Sequence, residues 1–196
     1  MFSSSAIFIT PAKGLLQTIN AIFARLADLS GPVYLWYAIR LQQLPLALFG
    51  LALSGALLPP LSRAFQEGDW DKFYRFLRSS FRRVMVLMIP SSFGLMALGV
   101  WGLNFLYGHG HFGREDVLGT ADCLWAYSLG LIPSVLVLLF SQACYAQKNY
   151  AGPARASLAS VLVNILLNGL FVFGCKWGAM SIALATSLSA FVNGYL

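Results

Sequence analysis

The sequence is poor in charge and poorer still in acid. Charged residues make up 10% of the 196 positions, with seven Asp and Glu against thirteen Lys and Arg. Soluble domains carry roughly 25%, so a water-soluble globule is excluded. The constellations of catalysis are missing as well. There is no His-Glu-x-x-His, no phosphate-cradling glycine loop, no nucleophile elbow and no paired-aspartate motif for a prenyl diphosphate. Three of the seven acids, Glu67, Asp69 and Asp71, fall together in a basic segment, which leaves little for acid–base chemistry. The reading is that the chain is not an enzyme. Cys123, Cys144 and Cys175 have no metal-ligand spacing and read as buried free thiols. The first residues lack a basic n-region and a small-residue cleavage site, so no signal peptide is expected.

What is abundant is apolar: 58% hydrophobic residues and a mean hydropathy of +0.71. Six apolar segments, 14–29, 33–62, 84–107, 117–146, 154–173 and 178–196, read as transmembrane helices of an all-α integral membrane protein. Segment 33–62 organises the rest. It holds Arg40 inside its hydrophobic run, Pro45 and Gly50 as bending points, and Pro59-Pro60 as its expected end. A guanidinium stays charged at any relevant pH. At membrane depth it costs at least about 2.5–3.5 kcal/mol, and such residues face a bundle interior or a water-filled cavity. The competing reading has Arg40 near the helix end, snorkelling to the headgroups.

Segment 14–29 is polar for a span, with Gln17, Asn20, Arg25 and Asp28; the last two are spaced to pair on one helical face. Segment 117–146 is expected to kink at Pro133. Asn164 and Asn168 stand one turn apart, and 178–196 is rich in small residues suited to close packing. Segment 63–83 is an amphipathic basic stretch, read either as lying on an anionic membrane surface or as a solvated helix feeding the next span. His109 and His111 on a glycine-rich loop have no evident third ligand, so no metal site is expected. Residues 1–13 read as a cytoplasmic segment ahead of a membrane lobe at 14–196. Six spans place nine Lys and Arg on one side (Lys13, Arg63, Lys72, Arg75, Arg78, Arg82, Arg83, Lys148, Arg155) and only Arg114 and Lys176 on the other. That bias puts both termini in the cytoplasm and explains the +6 net charge without nucleic acid.

WYAIRLQQLPLALFGLALSGALLPPLSRAFQEGD (36–69) resembles the signature of the MurJ/MviN lipid II flippases of the multidrug/oligosaccharidyl-lipid/polysaccharide exporter superfamily. FLYGHGHFGREDVLGTADCLWAYSLGLIP (105–133) is similar to the family's loop after the ninth helix, and CYAQKNYAGPARAS (144–157) to its Tyr-Ala…Pro turn. The matches run through nearly the whole chain in order. The resemblance implies one lobe of a MATE-like fold, helices seven to twelve of fourteen. It also implies an N-terminal lobe in the same or another chain, and residence in the bacterial cytoplasmic membrane. It implies flipping of lipid II, the undecaprenyl-diphosphate-linked peptidoglycan precursor, for cell-wall synthesis.

Arg40 then corresponds to the family's cavity arginine, with Arg25 as a candidate second contact to the diphosphate. The polar residue that usually precedes the arginine is Ile39 here. Some members bind sodium between the seventh, eleventh and twelfth helices. The matching positions are Asn20, Asn164, Asn168 and Thr186, a set without formal charge, so no cofactor is expected and sodium stays an alternative. Two other functions fit the same inventory: half of a MATE-like drug or cation exporter, or a non-transporting scaffold of the cell-wall machinery.

Overall fold

The computed structural model describes residues 4–108, 112–175 and 178–195, and these are helical almost throughout. The helices are α1 (Ser4–Ala27), α2 (Gly31–Pro45), α3 (Ala52–Gln66), α4 (Trp70–Tyr107), α5 (Arg114–Leu129), α6 (Leu131–Ala146), α7 (Ala151–Leu170) and α8 (Met180–Tyr195). His109 and His111 lie outside the described residues.

α2 and α3 form one helical stretch, Gly31–Gln66, joined by a π-helical turn at Leu46–Leu51. The turn begins directly after Pro45. A proline inside a helix has no N–H for the carbonyl one turn back and crowds it with its ring, and a widened turn relieves that conflict. Pro59 and Pro60, expected to close the helix, lie inside α3, which runs on to Gln66. The true stop is Glu67-Gly68-Asp69. Gly68 takes a left-handed φ of 71°, Asp69 N–H donates to Ala64 O at 3.1 Å and Gly68 N–H to Phe65 O at 3.2 Å. This is a Schellman ending, which a glycine adopts without steric cost.

Asp69 then caps α4 by accepting from Lys72 N–H at 2.9 Å, and the Lys72 ammonium donates to Glu67 at 2.7 Å. α4 has 38 residues, about 57 Å at 1.5 Å per residue, against a hydrocarbon core of about 30 Å. The basic stretch is therefore continuous with the span that follows it, not a separate surface helix. Phe73, fully buried in that basic stretch, belongs to the same core as Leu61 and Ala64 of α3.

The chain bends by 41° between α5 and α6. The break falls at Gly130 rather than at Pro133, which sits in the first turn of α6 where a proline is tolerated. A Cβ on Gly130 would stand 2.5 Å from Ser187 Oγ and 3.0 Å from Ser187 Cα of α8. Only glycine admits that approach. Three successive carbonyls ahead of the bend accept side chains from three other helices. Ser187 of α8 donates to Ala126 O, Gln42 of α2 to Tyr127 O and Ser92 of α4 to Ser128 O, each at 2.7 Å.

Two apolar cores result. One joins α2, α5 and α8 around Ala38, Leu124 and Ile182; the other joins α3, α4 and α6 around Leu61, Met88, Leu131 and Leu139. Leu95 packs against both. Large apolar side chains also point outward, among them Trp101 (76% exposed), Phe105 (80%) and Leu166 (73%). Among the described residues three stretches, Gly31–Gln66, Trp70–Tyr107 and Ala151–Gly174, are long and apolar enough to cross a membrane. The bent pair α5–α6 makes a fourth if counted as one crossing.

Gly130→Ala is expected to lower stability by about 1–3 kcal/mol, because the added methyl meets backbone as well as side chain. Gly55→Ala, whose Cβ would meet nothing within 4 Å, should be neutral or slightly stabilising. Thermal unfolding of the two variants in detergent checks the pair.

Candidate functional site

On α2 the helical period separates two faces. Leu35, Ala38, Leu41 and Gln42 are buried, whereas Trp36 and Arg40 are exposed. Trp36, Arg40 and Gln43 line a cavity of about 370 Å³, together with Pro32, Leu35 and Ile39. α1 contributes Gln17, Asn20 and Ala21, α5 contributes Tyr127 and α8 contributes Thr186. Four helices thus converge on one partly polar hollow. A larger depression, about 640 Å³, is lined by α4 residues alone, including Arg78 and Arg82, and so is a surface groove.

The Arg40 guanidinium lies over the Trp36 indole, 4.8 Å from the ring centroid. The contact follows from i, i+4 spacing on one helix. An aromatic face attracts a cation by about 0.5–2 kcal/mol and leaves the in-plane N–H groups free to donate elsewhere. Among the described residues no carboxylate pairs with Arg40, and the ion pair present is Lys72 with Glu67. Arg25 is placed differently. It is exposed, donates to the Leu29 carbonyl beyond the end of α1, and is not part of the cavity wall. Nor does it pair with Asp28, whose carboxylate accepts from Ser30 N–H at 2.9 Å. A basic residue finds orphan carbonyls at a helix C-terminus close at hand.

Asn20, Asn164, Asn168 and Thr186 do come together, from α1, α7 and α8. Asn168 Nδ2 donates to Asn20 Oδ1 at 2.7 Å and to Asn164 Oδ1 at 2.9 Å. Asn20 Nδ2 and Asn164 Nδ2 donate to Thr186 Oγ1 at 3.2 and 3.3 Å, and Asn164 Nδ2 also reaches Ser189 Oγ at 3.4 Å. Thr186 passes its own proton to Ile182 O at 2.8 Å. Asn164 and Asn168 are fully buried, and Asn20 and Thr186 also face the Arg40 cavity. This set does not fit a sodium ion. The oxygens of Asn20 and Asn164 are taken by the Asn168 amide, Thr186 Oγ1 receives two N–H groups, and no carboxylate contributes to the set. Among the described residues there is also no group of three or more His, Cys, Asp or Glu side chains able to hold a metal.

Sequence reading missed Trp36, Gln42, Gln43, Tyr127 and Ser189. The i, i+4 spacing of Trp36 and Arg40 was a usable signal. The Gln42–Tyr127 bond joins residues 85 apart in sequence and left none.

A bent-helix bundle, apolar outside and opening a cation-bearing polar hollow on one side, has the form of a membrane transporter lobe rather than of an enzyme. Residues 4–196 match the family described as "Lipid II flippase MurJ". The chain is 37% identical over 165 residues to the "Probable lipid II flippase MurJ" of Chlamydia trachomatis serovar D, covering 84% of this chain and 31% of that one. It is 37% identical over 190 residues to the protein so described in Thermotoga maritima, covering 96% and 38%. A solved structure, "Lipid II flippase MurJ, inward closed conformation", superposes with a TM-score of 0.79 at 31% identity over 92% of this chain and 39% of that chain. The chain belongs to the MurJ lipid II flippase family. It spans about a third of the length of the curated relatives it matches.

Asn164→Ala is expected to destabilise by about 1–3 kcal/mol, since it leaves buried donors and acceptors on Asn168 and Ser189 without a partner. Leu162→Ala, on the exposed face of the same helix, should cost less. Thermal unfolding in detergent distinguishes them.

Proposed function

We propose that this chain is one lobe of a lipid II flippase. Its six crossings are α1, α2–α3, α4, α5–α6, α7 and α8, with both termini on the cytoplasmic face of the bacterial inner membrane. Facing an N-terminal lobe, in the same or another chain, it moves the undecaprenyl-diphosphate-linked peptidoglycan precursor between leaflets for cell-wall synthesis. The observation that carries this reading is Arg40, a permanent cation with no carboxylate partner among the described residues, set on Trp36 at a hollow shared by four helices. A diphosphate offers several anionic oxygens to the planar fork of a guanidinium, and such charge-assisted bonds are the strong ones. Arg40 is then the substrate contact, and Arg25 finishes its own helix end.

The drug-exporter alternative is disfavoured because no carboxylate lines the hollow, so a cationic substrate meets only a like charge. The scaffold alternative predicts indifference to Arg40. Lipid II binding by the purified chain, supplied with an N-terminal lobe, separates them. Arg40→Ala should weaken binding about tenfold or more, as expected for a charge-assisted bond of roughly 1.5–3 kcal/mol. Arg25→Ala should leave it unchanged. Undiminished binding by Arg40→Ala would refute the assigned contact.

A further inference from the structure

The buried asparagine cluster brings side-chain oxygens from α1, α7 and α8 close together, and its geometry says what holds them. We propose that the Asn168 carboxamide nitrogen stands in for a bridging cation, so that α1, α7 and α8 are locked together without sodium. The inference does not depend on what the lobe transports.

Two carbonyl oxygens brought close in a buried site repel unless something positive lies between them. Here that role falls to the Asn168 NH₂, whose two protons go to Asn20 Oδ1 of α1 and to Asn164 Oδ1 of α7. The amide therefore joins helices 148 residues apart in sequence. Its oxygen is left over. Asn168 Oδ1 is buried and has no hydrogen-bond partner among the described residues. An unmet buried acceptor is unfavourable, so the orientation needs a reason. Turning the amide over would satisfy nothing: it would bring Asn168 Oδ1 to 2.7 and 2.9 Å from two other oxygens. Three oxygens at those separations hold together only around a cation. The orphaned oxygen is the cost of a lock closed by an N–H donor.

The same geometry states how to convert the site. Asn168→Asp replaces the bridging NH₂ with an anionic oxygen at the same place, leaving Asn20 Oδ1 and Asn164 Oδ1 without donors. The altered set should then require a monovalent cation. The experiment is thermal unfolding of the purified full chain in detergent, titrated with sodium chloride against choline chloride at constant ionic strength. The wild type should show the same Tm in both salts. Asn168→Asp should be destabilised in choline and gain a saturable, sodium-specific rise of about 5 °C or more once sodium exceeds its Kd a hundredfold. If Asn168→Asp does not fold in choline, it is purified in sodium chloride and the sodium exchanged stepwise for choline, and its Tm should fall as sodium is withdrawn; failure to fold in either salt would count against the proposal. A saturable sodium-specific rise in the wild type would overturn the proposal. So would the absence of any sodium response in the folded aspartate variant, since the nitrogen would then not be holding a cation's place.

Discussion

The break at Gly130 governs how this bundle is tied together. In hydrocarbon there is no water to take up a carbonyl that its own helix has released, so each one must find a partner inside the protein. At the bend of 41° the Gly130 N–H goes to Tyr127 O at 2.9 Å rather than to Ala126 O one full turn back, which disturbs the hydrogen-bond ladder at the end of α5. Ala126, Tyr127 and Ser128 O accept from Ser187, Gln42 and Ser92, with Tyr127 O holding the Gly130 N–H as well. Those donors belong to α8, α2 and α4, so one disturbance fixes three neighbours at once. The glycine allows α8 close enough for Ser187 to reach, and the small buried residues of α8 keep the contact tight.

From that anchor the functional face follows by helical period. Gln42 is held to Tyr127 O, which fixes the rotation of α2. With Ala38 and Leu41 turned toward the core, Trp36, Arg40 and Gln43 are left to line the hollow. The π-helical turn after Pro45 changes the register beyond this point, which lets α3 bury Leu57 and Leu61 against a different set of neighbours. Gly50, within that turn, is buried where a Cβ would press on Val135 and Leu46 at 3.0 and 3.1 Å.

The helical class, the membrane setting and the central place of 31–66 were legible because hydrophobic length and charge scarcity act locally and add along the chain. The convergence of Asn20, Asn164, Asn168 and Thr186 was reached only through family resemblance; no local pattern joins residues up to 166 apart. Breakpoints were read less well. Proline positions suggest stops and kinks, yet Pro59 and Pro60 sit inside α3, and the bend near Pro133 falls three residues earlier. A proline alters only the bonds it removes, whereas a glycine with the left-handed conformation of Gly68, or with a neighbour as close as Ser187 is to Gly130, decides where the chain turns. Arg25 and Asp28 had the spacing of a pair, but the nearby backbone offered each a closer partner.

The apolar Ile39 beside the arginine and the all-amide character of the buried asparagine cluster act in the same electrostatic direction. Asn20 and Thr186 belong both to the amide cluster and to the wall of the hollow. A carboxylate at Asn20 would face the same space as Arg40, draw its guanidinium and offset its field. Amides leave the hollow with one formal charge among its lining residues, and that charge is positive. Hydrogen bonds between uncharged groups thus join α1, α7 and α8, and Arg40 is left to set the potential of the cavity. For a ligand whose recognition rests on anionic oxygens, an uncharged amide cluster beside an unpaired arginine is physically consistent.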